Sequence, residues 1–594
     1  MPRRLATVAV VLVSLAVVAI ASAHIERASY WPDPAPDRSV NPPAGGKVPE
    51  ARPLATALFR RARGQTRVVC QSDSLRRLAH SILRARLRGY EIRPHDKRRL
   101  GWFEAARLAA INLGLWRKCD YHQIQPAVTA SGNNDRVVVM PGLYTEPRSR
   151  AAPTDDPRCD QYEITNDRNQ AGAVSYAYQF HCPNDQNLIA VIGRAVGPGA
   201  DPQPPLEDRR GIPNLGRCIR CSFQLEGSGV SADDVVVDAG RVASGNGGPI
   251  GAVKDVAIRA DRADGFVLRN MTARHVSEHD IYVLEVDGFL LDRFKVYWAA
   301  EYGLLTFTSD HGLIQNCDAE GHGDAALYPG SAAEGGEQRT PGTPFRYTQR
   351  LRFCDMHHSA LGFSGTNANT VRFDHNHVYD NATGYSTDVF SAAGHPGFPQ
   401  DSNLLHDNRI YSNNFNPYLP GSDVEPTVPV PVGTGMWIAG GNNNVIRNNR
   451  FWDNWRRGAM LFAVPDAFVC DNPDNQIPGC DPAETNTSFD NSFHDNLMGI
   501  APNGARKPNG LDFWWSDWPN TTGNCWYRNR SYKPITTYPS PLPNCNNGAN
   551  PELSVGDGDS GATTELLNCL TATDNPDPNH PTCSWFRTPP RPTP

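Results

Sequence analysis

An all-β solenoid, a right-handed parallel β-helix with a small α-helical N-terminal cap, is the fold this sequence predicts. Three observations lead there. First, short apolar runs ending in Asn or Asp recur from Asp264 onward, the early ones about 23 residues apart: Gly265-Phe-Val-Leu-Arg-Asn270, Gly288-Phe-Leu-Leu-Asp-Arg293 and Gly312-Leu-Ile-Gln-Asn-Cys317. Thr370-Val-Arg-Phe-Asp-His375, Asn403-Leu-Leu-His-Asp-Asn408 and Asn444-Val-Ile-Arg-Asn-Asn449 continue the series with longer insertions. Second, another strand type lies between them, as in Tyr302-Gly-Leu-Leu-Thr306, Thr383-Gly-Tyr-Ser-Thr387 and Thr434-Gly-Met-Trp-Ile438. Third, 51 Gly and 50 Pro among 594 residues favour many turns over long helices. One coil cannot bury its own apolar face, but stacked coils share a continuous core. Asn and Asp tolerate left-handed corners and stack in ladders along the axis. A propeller needs a longer repeat, and a leucine-rich repeat has a different Leu register.

In chain order, residues 1–23 read as an export signal. Arg3 and Arg4 precede an apolar run from Ala6 to Ile20, and Ala21-Ser22-Ala23 has the small-x-small form of a cleavage site. Residues 24–67, rich in Pro, Ala and Arg, read as an extended linker. Residues 68–120 read as a basic helical cap. Leu75, Leu78, Ala79, Ile82 and Leu83 recur at helical steps, Ser72 to Ser74 offer N-caps, and Pro94 opens a second helix with Trp102, Phe103, Ala106 and Ala109 on one side. Its Arg-rich faces are either solvated or attach to an anionic wall polymer or membrane surface. The β-helix is expected over 121–510. An aromatic-rich segment, Leu511-Asp-Phe-Trp-Trp-Ser-Asp-Trp518, opens the last region, 511–594, as an end cap or a sugar platform, and a loosely ordered polar tail follows Pro551.

The 14 cysteines after an export signal suggest disulfides. Cys218-Ile-Arg-Cys221 stands alone, without a second half for zinc, and reads as a local disulfide. Cys317 and Cys354 fall in comparable strands of adjacent coils, either bridged or as two buried thiols. Cys470 and Cys480 bracket a loop. Sequential pairing would join Cys70 to Cys119, Cys159 to Cys182, Cys525 to Cys545 and Cys569 to Cys583.

Ile124-Gln125-Pro126-Ala127, Arg136-Val-Val-Val-Met140 and Pro141-Gly142-Leu143-Tyr144-Thr145-Glu146 resemble the first coil of pectin-lyase-like β-helix proteins, which often carry an IQxA segment and a strand ending in PGxYxE. The resemblance covers roughly Tyr121 to Phe513. It implies a polysaccharide partner lying along one parallel sheet, on the outward residues of the second strand type. The superfamily includes lyases, hydrolases, epimerases, esterases and non-catalytic surface proteins, so fold does not choose function. Gly321-His322-Gly323 is similar to the Gly-His-Gly of polygalacturonases, without their NTD and DD motifs. His279-Asp280 resembles the second half of the Asp-Pro-His-Asp motif of mannuronan epimerases, with Ser277-Glu278 before it. The WxDH calcium signature of pectate lyases is absent.

The candidate catalytic residues are His279, Asp280, Glu301, His322, Asp324, Tyr328, Asp388 and His395, and the candidate substrate contacts are Tyr302 and Trp437. Glu301 and Asp324 precede the same strand type on consecutive turns, and close carboxylates split their pKa values or hold a cation. His279, His322, His395 and Tyr328 are acid or base candidates for proton abstraction beside a uronate carboxylate. Asp280, Glu301, Asp324 and Asp388 offer hard oxygen ligands for Ca²⁺, although no metal-ligand spacing assigns a metal. Two functions follow: a secreted enzyme on acidic polysaccharide, by lyase or epimerase chemistry, or a non-catalytic surface or matrix protein that binds glycan. A net charge of −6 argues against nucleic acid. No membrane contact beyond the signal and a monomeric state are expected.

Overall fold

The computed structural model describes residues 29–59, 64–147, 149, 156–164, 173–197, 216–240, 254–332, 345–390, 395–470, 477, 479–518, 521–544, 560–573 and 575–594. The export signal lies outside these residues. The described chain forms two compact units, Ser29–Glu320 with Gln349–Asp355, and Gly321–Thr348 with Met356–Pro594. They are called the N-terminal and C-terminal units below.

Each unit is built of three-sided coils. In the N-terminal unit the strands Phe266–Arg269, Thr272–Val276 and His279–Leu284 make one turn, and Asp287–Asp292 begins the next. Successive turns pair in parallel: Phe266, Phe289 and Gly312 share a register position in the first sheet, and Val256, His279 and Tyr302 share one in the third. In the C-terminal unit Val371–Asp374, His377–Tyr379 and Thr383–Asp388 form the corresponding turn. The chain is therefore the all-β parallel β-helix its repeat predicts.

Alternation along each strand selects the core. In the first sheet of the C-terminal unit Phe373, Leu405, Ile446 and Phe493 align and are buried. Val378, Ile410, Phe451 and Met498 do the same in the second. Phe363 stacks on Tyr385, ring centroids 4.4 Å apart. Burying each such side chain contributes about 2 kcal/mol.

Corners follow a rule one residue finer than expected. The residue after each first-sheet strand takes the left-handed conformation: His375 (φ 59°), Asp407 (58°), Asn448 (55°), Asp495 (56°) and Arg528 (51°). The next residue is the ladder Asn. Asn408 donates from its backbone and Nδ2 to Asn449 Oδ1 at 3.0 and 2.9 Å, and Asn449 does the same to Asn496 Oδ1 at 2.9 and 3.2 Å. Parallel ladders run through Asn381, Asn413, Asn454 and Asn509, and through Asn403, Asn444, Asn491 and Asn524. They satisfy buried backbone donors that the strand ladders leave at the corners.

Among the described residues six disulfides join Cys70–Cys119, Cys159–Cys182, Cys218–Cys221, Cys317–Cys354, Cys470–Cys480 and Cys569–Cys583. Cys317 and Cys354 thus form a bridge rather than two buried thiols, and their Cα atoms lie 4.5 Å apart on neighbouring coils. Cys545, the expected partner of Cys525, lies outside the described residues.

Several segments depart from expectation. Of the expected 24–67 linker, the described residues 29–59 are tied to the coils: the Tyr30 amide donates to Glu285 Oε1 at 3.0 Å, and Arg52 Nη1 donates to the Asn134 carbonyl at 2.9 Å. Thr66–Val69 and Cys119–Tyr121 are strands of the first sheet, so the cap is an insertion between coil strands. Its second helix starts at Trp102, because Pro94 sits in the turn of the Tyr90–Arg93 and Asp96–Arg98 hairpin. Trp102 and Phe103 are exposed, while Ala105, Asn112 and Leu115 face inward. The IQxA segment is a short helix, Ile124–Thr129, and Glu146 of PGxYxE accepts its first amides, Ile124 N at 2.7 Å and Gln125 N at 3.1 Å.

The aromatic segment is a coil strand rather than a cap. Phe513–Ser516 pairs with Arg457–Phe462, and coils continue to Thr537–Tyr538. The described residues 560–573 and 575–594 also depart from the expected loose tail. Helix Ser560–Leu570 and the segment through Trp585 fold back, with Glu565 bonding Arg457 at 2.6 Å and the Ser584 and Arg587 carbonyls accepting from Arg456 at 2.6 and 2.7 Å.

Candidate functional site

In the N-terminal unit, His279 opens its third-sheet strand and sits between Tyr282 and Tyr302, ring centroids 5.1 and 5.2 Å away. Glu301 Oε2 lies 3.8 Å from His279 Nδ1. The Arg259 guanidinium covers the Tyr282 ring at 4.7 Å and pairs with Asp261 at 3.1 Å. Burial, reinforced by Arg259, pushes the His279 imidazole down to about 3. Burial also raises the Asp280 carboxyl well above the carboxylate range. His279, Asp280 and Tyr302 are all buried. None of the three lies open at a groove: Tyr302 packs on His279 instead of offering its face to a sugar, and Asp280 lies in the field of Asp238 and Arg274.

The remaining candidates belong to the C-terminal unit. His322 is fully buried, its Nδ1 3.3 Å from Ser359 Oγ, and burial pushes it down to about 3. Asp324 is buried and its field reaches Tyr418, while Thr427 of the same loop donates its amide to the Gly323 carbonyl at 2.8 Å. Tyr328 is buried beside Asp388, with its hydroxyl bonded to Thr366. Thr366 Oγ1 and the Phe390 amide donate to Asp388 Oδ1 at 2.7 and 3.1 Å. Asp388 keeps part of its surface open, yet crowding by protein lifts its carboxyl to about 6. His395 is buried, and 391–394 of its loop lie outside the described residues. Trp437 points outward from the third sheet, but Trp585 covers it at 5.8 Å and leaves it 6% exposed. It is a packing residue, not a sugar platform.

So the structure gathers His279 with Glu301 and Tyr302, and Tyr328 with Asp388. Among the described residues, Asp280, Glu301, Asp324 and Asp388 enter no cluster of three His, Cys, Asp or Glu ligands.

A different set of residues lines an outward sheet face, with Asp374 and His406 buried and Arg447, His494 and Tyr527 part-exposed. On the outward side of the first sheet of the C-terminal unit, Asp374, His406, Arg447, His494 and Tyr527 occupy one register position on five consecutive coils. Each immediately precedes the left-handed corner residue. His406 Nδ1 lies 2.6 Å from Asp407 Oδ2, and Arg372 Nε donates to His406 Nε2 at 3.0 Å. These contacts fix one tautomer, a proton on Nδ1 and a lone pair on Nε2. Burial and Arg372 outweigh the nearby Asp407 and Asp374 and lower the imidazole, so it is neutral at pH 7. Arg372 also reaches Asp374 at 3.2 Å. Tyr347 stands in the field of both Arg372 and Arg447. Farther along, His494 bonds Asp495 at 2.7 Å and stacks on Tyr527 at 4.6 Å. Arg372, Arg447 and Tyr347 are part-exposed.

Sequence reasoning passes over this column because it looks for the site on the second strand type, and the column lies on the first. Comparing Thr370 with Asn403 also hides Asp374, since the register pairs Arg372 with Leu404 and Asp374 with His406, which aligns Val371 with Asn403. Such a one-residue slip sends every outward residue to the other face. Aligning the repeats on Asn376, Asn408, Asn449, Asn496 and Asn529 would have exposed the column, two residues before each Asn.

Residues 250–509 match the family model described as a right handed beta helix region. No curated protein sequence matches the chain. Among solved structures, similarity is found to the periplasmic alginate epimerase AlgG, at 12% identity and a TM-score of 0.34. That match covers 53% of this chain and 61% of that one, so the chain spans less than two thirds of the relative's length. Pectate lyase Pel9A is similar at 11% identity and a TM-score of 0.28, covering 79% of this chain and 84% of that one. PfbA, a surface adhesin of Streptococcus pneumoniae, is similar at 10% identity and a TM-score of 0.33, covering 67% of this chain and 79% of that one.

Proposed function

We propose that this is a secreted protein that acts on an acidic extracellular polysaccharide, removing the proton beside a uronate carboxylate in a lyase or epimerase step. One observation carries the reading: His406, held neutral and oriented by Asp407, lies in register with Arg447 on the next coil. The chemistry needs a base with a free lone pair, a cation to offset charge that develops on the carboxylate, and a proton donor. His406 Nε2 is the base once Arg372 turns from it to the incoming carboxylate. Arg372 and Arg447 hold that carboxylate while the C5 proton passes to Nε2. Tyr347 then donates a proton, to the departing glycosidic oxygen for elimination or to the opposite face of C5 for epimerisation. The six disulfides support an oxidising, extracellular setting.

The test is incubation of the mature protein with polyuronates, with and without Ca²⁺. Unsaturated chain ends absorbing in the ultraviolet, or changed epimer content by NMR, support the enzyme, and both should vanish in His406→Ala. A second reading, binding without turnover, is favoured by the Arg372 Nε bond that occupies His406 Nε2. Saturable polymer binding with neither product would select it.

A further inference from the structure

The second sheet of the C-terminal unit carries a feature that the proposed chemistry does not use. Its outward positions form two columns. In one, His357 stacks on Tyr379 at 5.0 Å, Tyr379 on Tyr411 at 5.2 Å, and Tyr411 on Trp452 at 4.2 Å. The interplanar angles are 8°, 11° and 5°, so the ladder is rigid and turns its ring edges outward. In the other, His377, Arg409, Arg450, Leu497 and Arg530 follow one another in register. Arg409 and Arg530 are exposed and Arg450 is part-exposed.

Arg409 and Arg450 are directly opposed on neighbouring strands, about 4.8 Å apart at the backbone. Like charges so placed destabilise a sheet. Among the described residues no carboxylate forms an ion pair with Arg409, Arg450 or Arg530, whereas Arg457 and Arg528, elsewhere in the unit, each have one. The repulsion between Arg409 and Arg450 is thus left standing at the surface of a chain whose net charge is −6.

We propose that Arg409, Arg450 and Arg530, beside the Tyr379–Tyr411–Trp452 ladder, form a second binding strip for an acidic polysaccharide, separate from the His406 column. The match is one of charge and shape. An extended polyuronate presents carboxylates at regular intervals along a line, and the strip presents guanidinium groups along the coil axis. Guanidinium suits planar carboxylates through paired N–H donors. The aromatic edges, with the Tyr379 and Tyr411 hydroxyls, lie alongside for sugar hydroxyls. The choice of polymer rests on the acidic-polysaccharide reading above; the location of the strip does not.

The test compares wild type, Arg409→Gln/Arg450→Gln and His406→Ala by calorimetric titration with polyuronate, at low and at physiological salt. The double variant should bind about tenfold more weakly and show a shallower salt dependence, while turnover of short oligouronates is unchanged. Without ligand its Tm should equal or exceed that of wild type, since a repulsion has been removed. Polyuronate should raise the wild-type Tm and leave the variant's less affected. Wild-type affinity in the double variant would overturn the strip while leaving the His406 proposal intact. Equal binding of single-stranded DNA would overturn the choice of a glycan. Binding by wild type without turnover would overturn the enzyme reading and leave the strip standing, and no polyuronate binding at all would overturn both.

Discussion

His406 and Arg447 occupy the same register position on adjacent coils, with the His406 ring held by Asp407 at 2.6 Å. A neutral imidazole beside a cation on one outward face is what proton abstraction from a uronate requires. Replacing His406 by Ala should lower kcat on polyuronate by about 10²- to 10⁴-fold, the usual contribution of a general base. Arg447→Ala should lower kcat as well as raise KM, because the guanidinium offsets charge that develops on the carboxylate as the proton leaves. The imidazole is lowered by burial and Arg372, so kcat/KM should rise through an acid limb below pH 6.5 and stay level to neutrality. An acid limb centred above pH 7 would contradict the assignment.

Asn449 tests the corner ladder. Its Oδ1 accepts from Asn408, and its Nδ2 donates to the Leu405 carbonyl at 3.0 Å and to Asn496. Asn449→Ala leaves several of these buried groups unpaired and should cost about 3 kcal/mol. Denaturant titration measures it. A loss below 0.5 kcal/mol, on the order of a neutral surface change, would mean the ladder is decorative.

Trp585 should be a structural anchor. It is fully buried and packs edge-on to Trp437. Trp585→Ala should destabilise by about 3–5 kcal/mol and expose Trp437, read as a red-shifted fluorescence that acrylamide quenches. Unchanged fluorescence would show that the returning segment does not cover the third sheet in solution.

His358 ties a long loop to the coil, with Nδ1 3.1 Å from Asp380 and Nε2 3.0 Å from Asp423. These carboxylates, acting against burial, lift its imidazole from 6.5 to about 9. The sign follows from linkage: a cation favoured by the fold stabilises it fully below pH 6.5, and that stability is lost as pH rises through about 9. Both carboxylates are more than half exposed, so solvent screening should hold the effect to about 1 kcal/mol. Amide exchange of residues 416–430, measured at pH 7 and pH 10 and corrected for intrinsic rate, should show lost protection at pH 10. Asp423→Asn should remove most of that difference.

Much of the fold was legible because its determinants are local. The apolar positions of Phe266, Phe289, Ile410 and Phe451 mark strands whose alternation sets in from out. The Asn-rich ends mark corners, since few residues satisfy both a left-handed neighbour and a buried amide. The disulfides were legible for a related reason: each described bridge joins cysteines that follow one another in the chain, as Cys470–Cys480 and Cys569–Cys583 do. The site was less legible. His279, Asp280, His322 and Tyr328 have the residue types of catalysis, but nothing in their local sequence reports that protein covers them. Asp374 and His406 were on view in the repeat, but on the first strand type, whereas the family resemblance pointed to the second.

The sequence by itself determined the coil, its inward residues and its corners, because each rests on neighbours within a turn or on the next repeat. Only the tertiary structure decided which outward residues meet solvent. Trp437 looks outward in every local sense, yet the far C-terminal Trp585 closes over it; Arg447 and Arg450, on neighbouring faces of one coil, remain accessible. Exposure of an outward side chain depends on where distant segments return, and that is set by packing between parts of the chain that no local pattern relates.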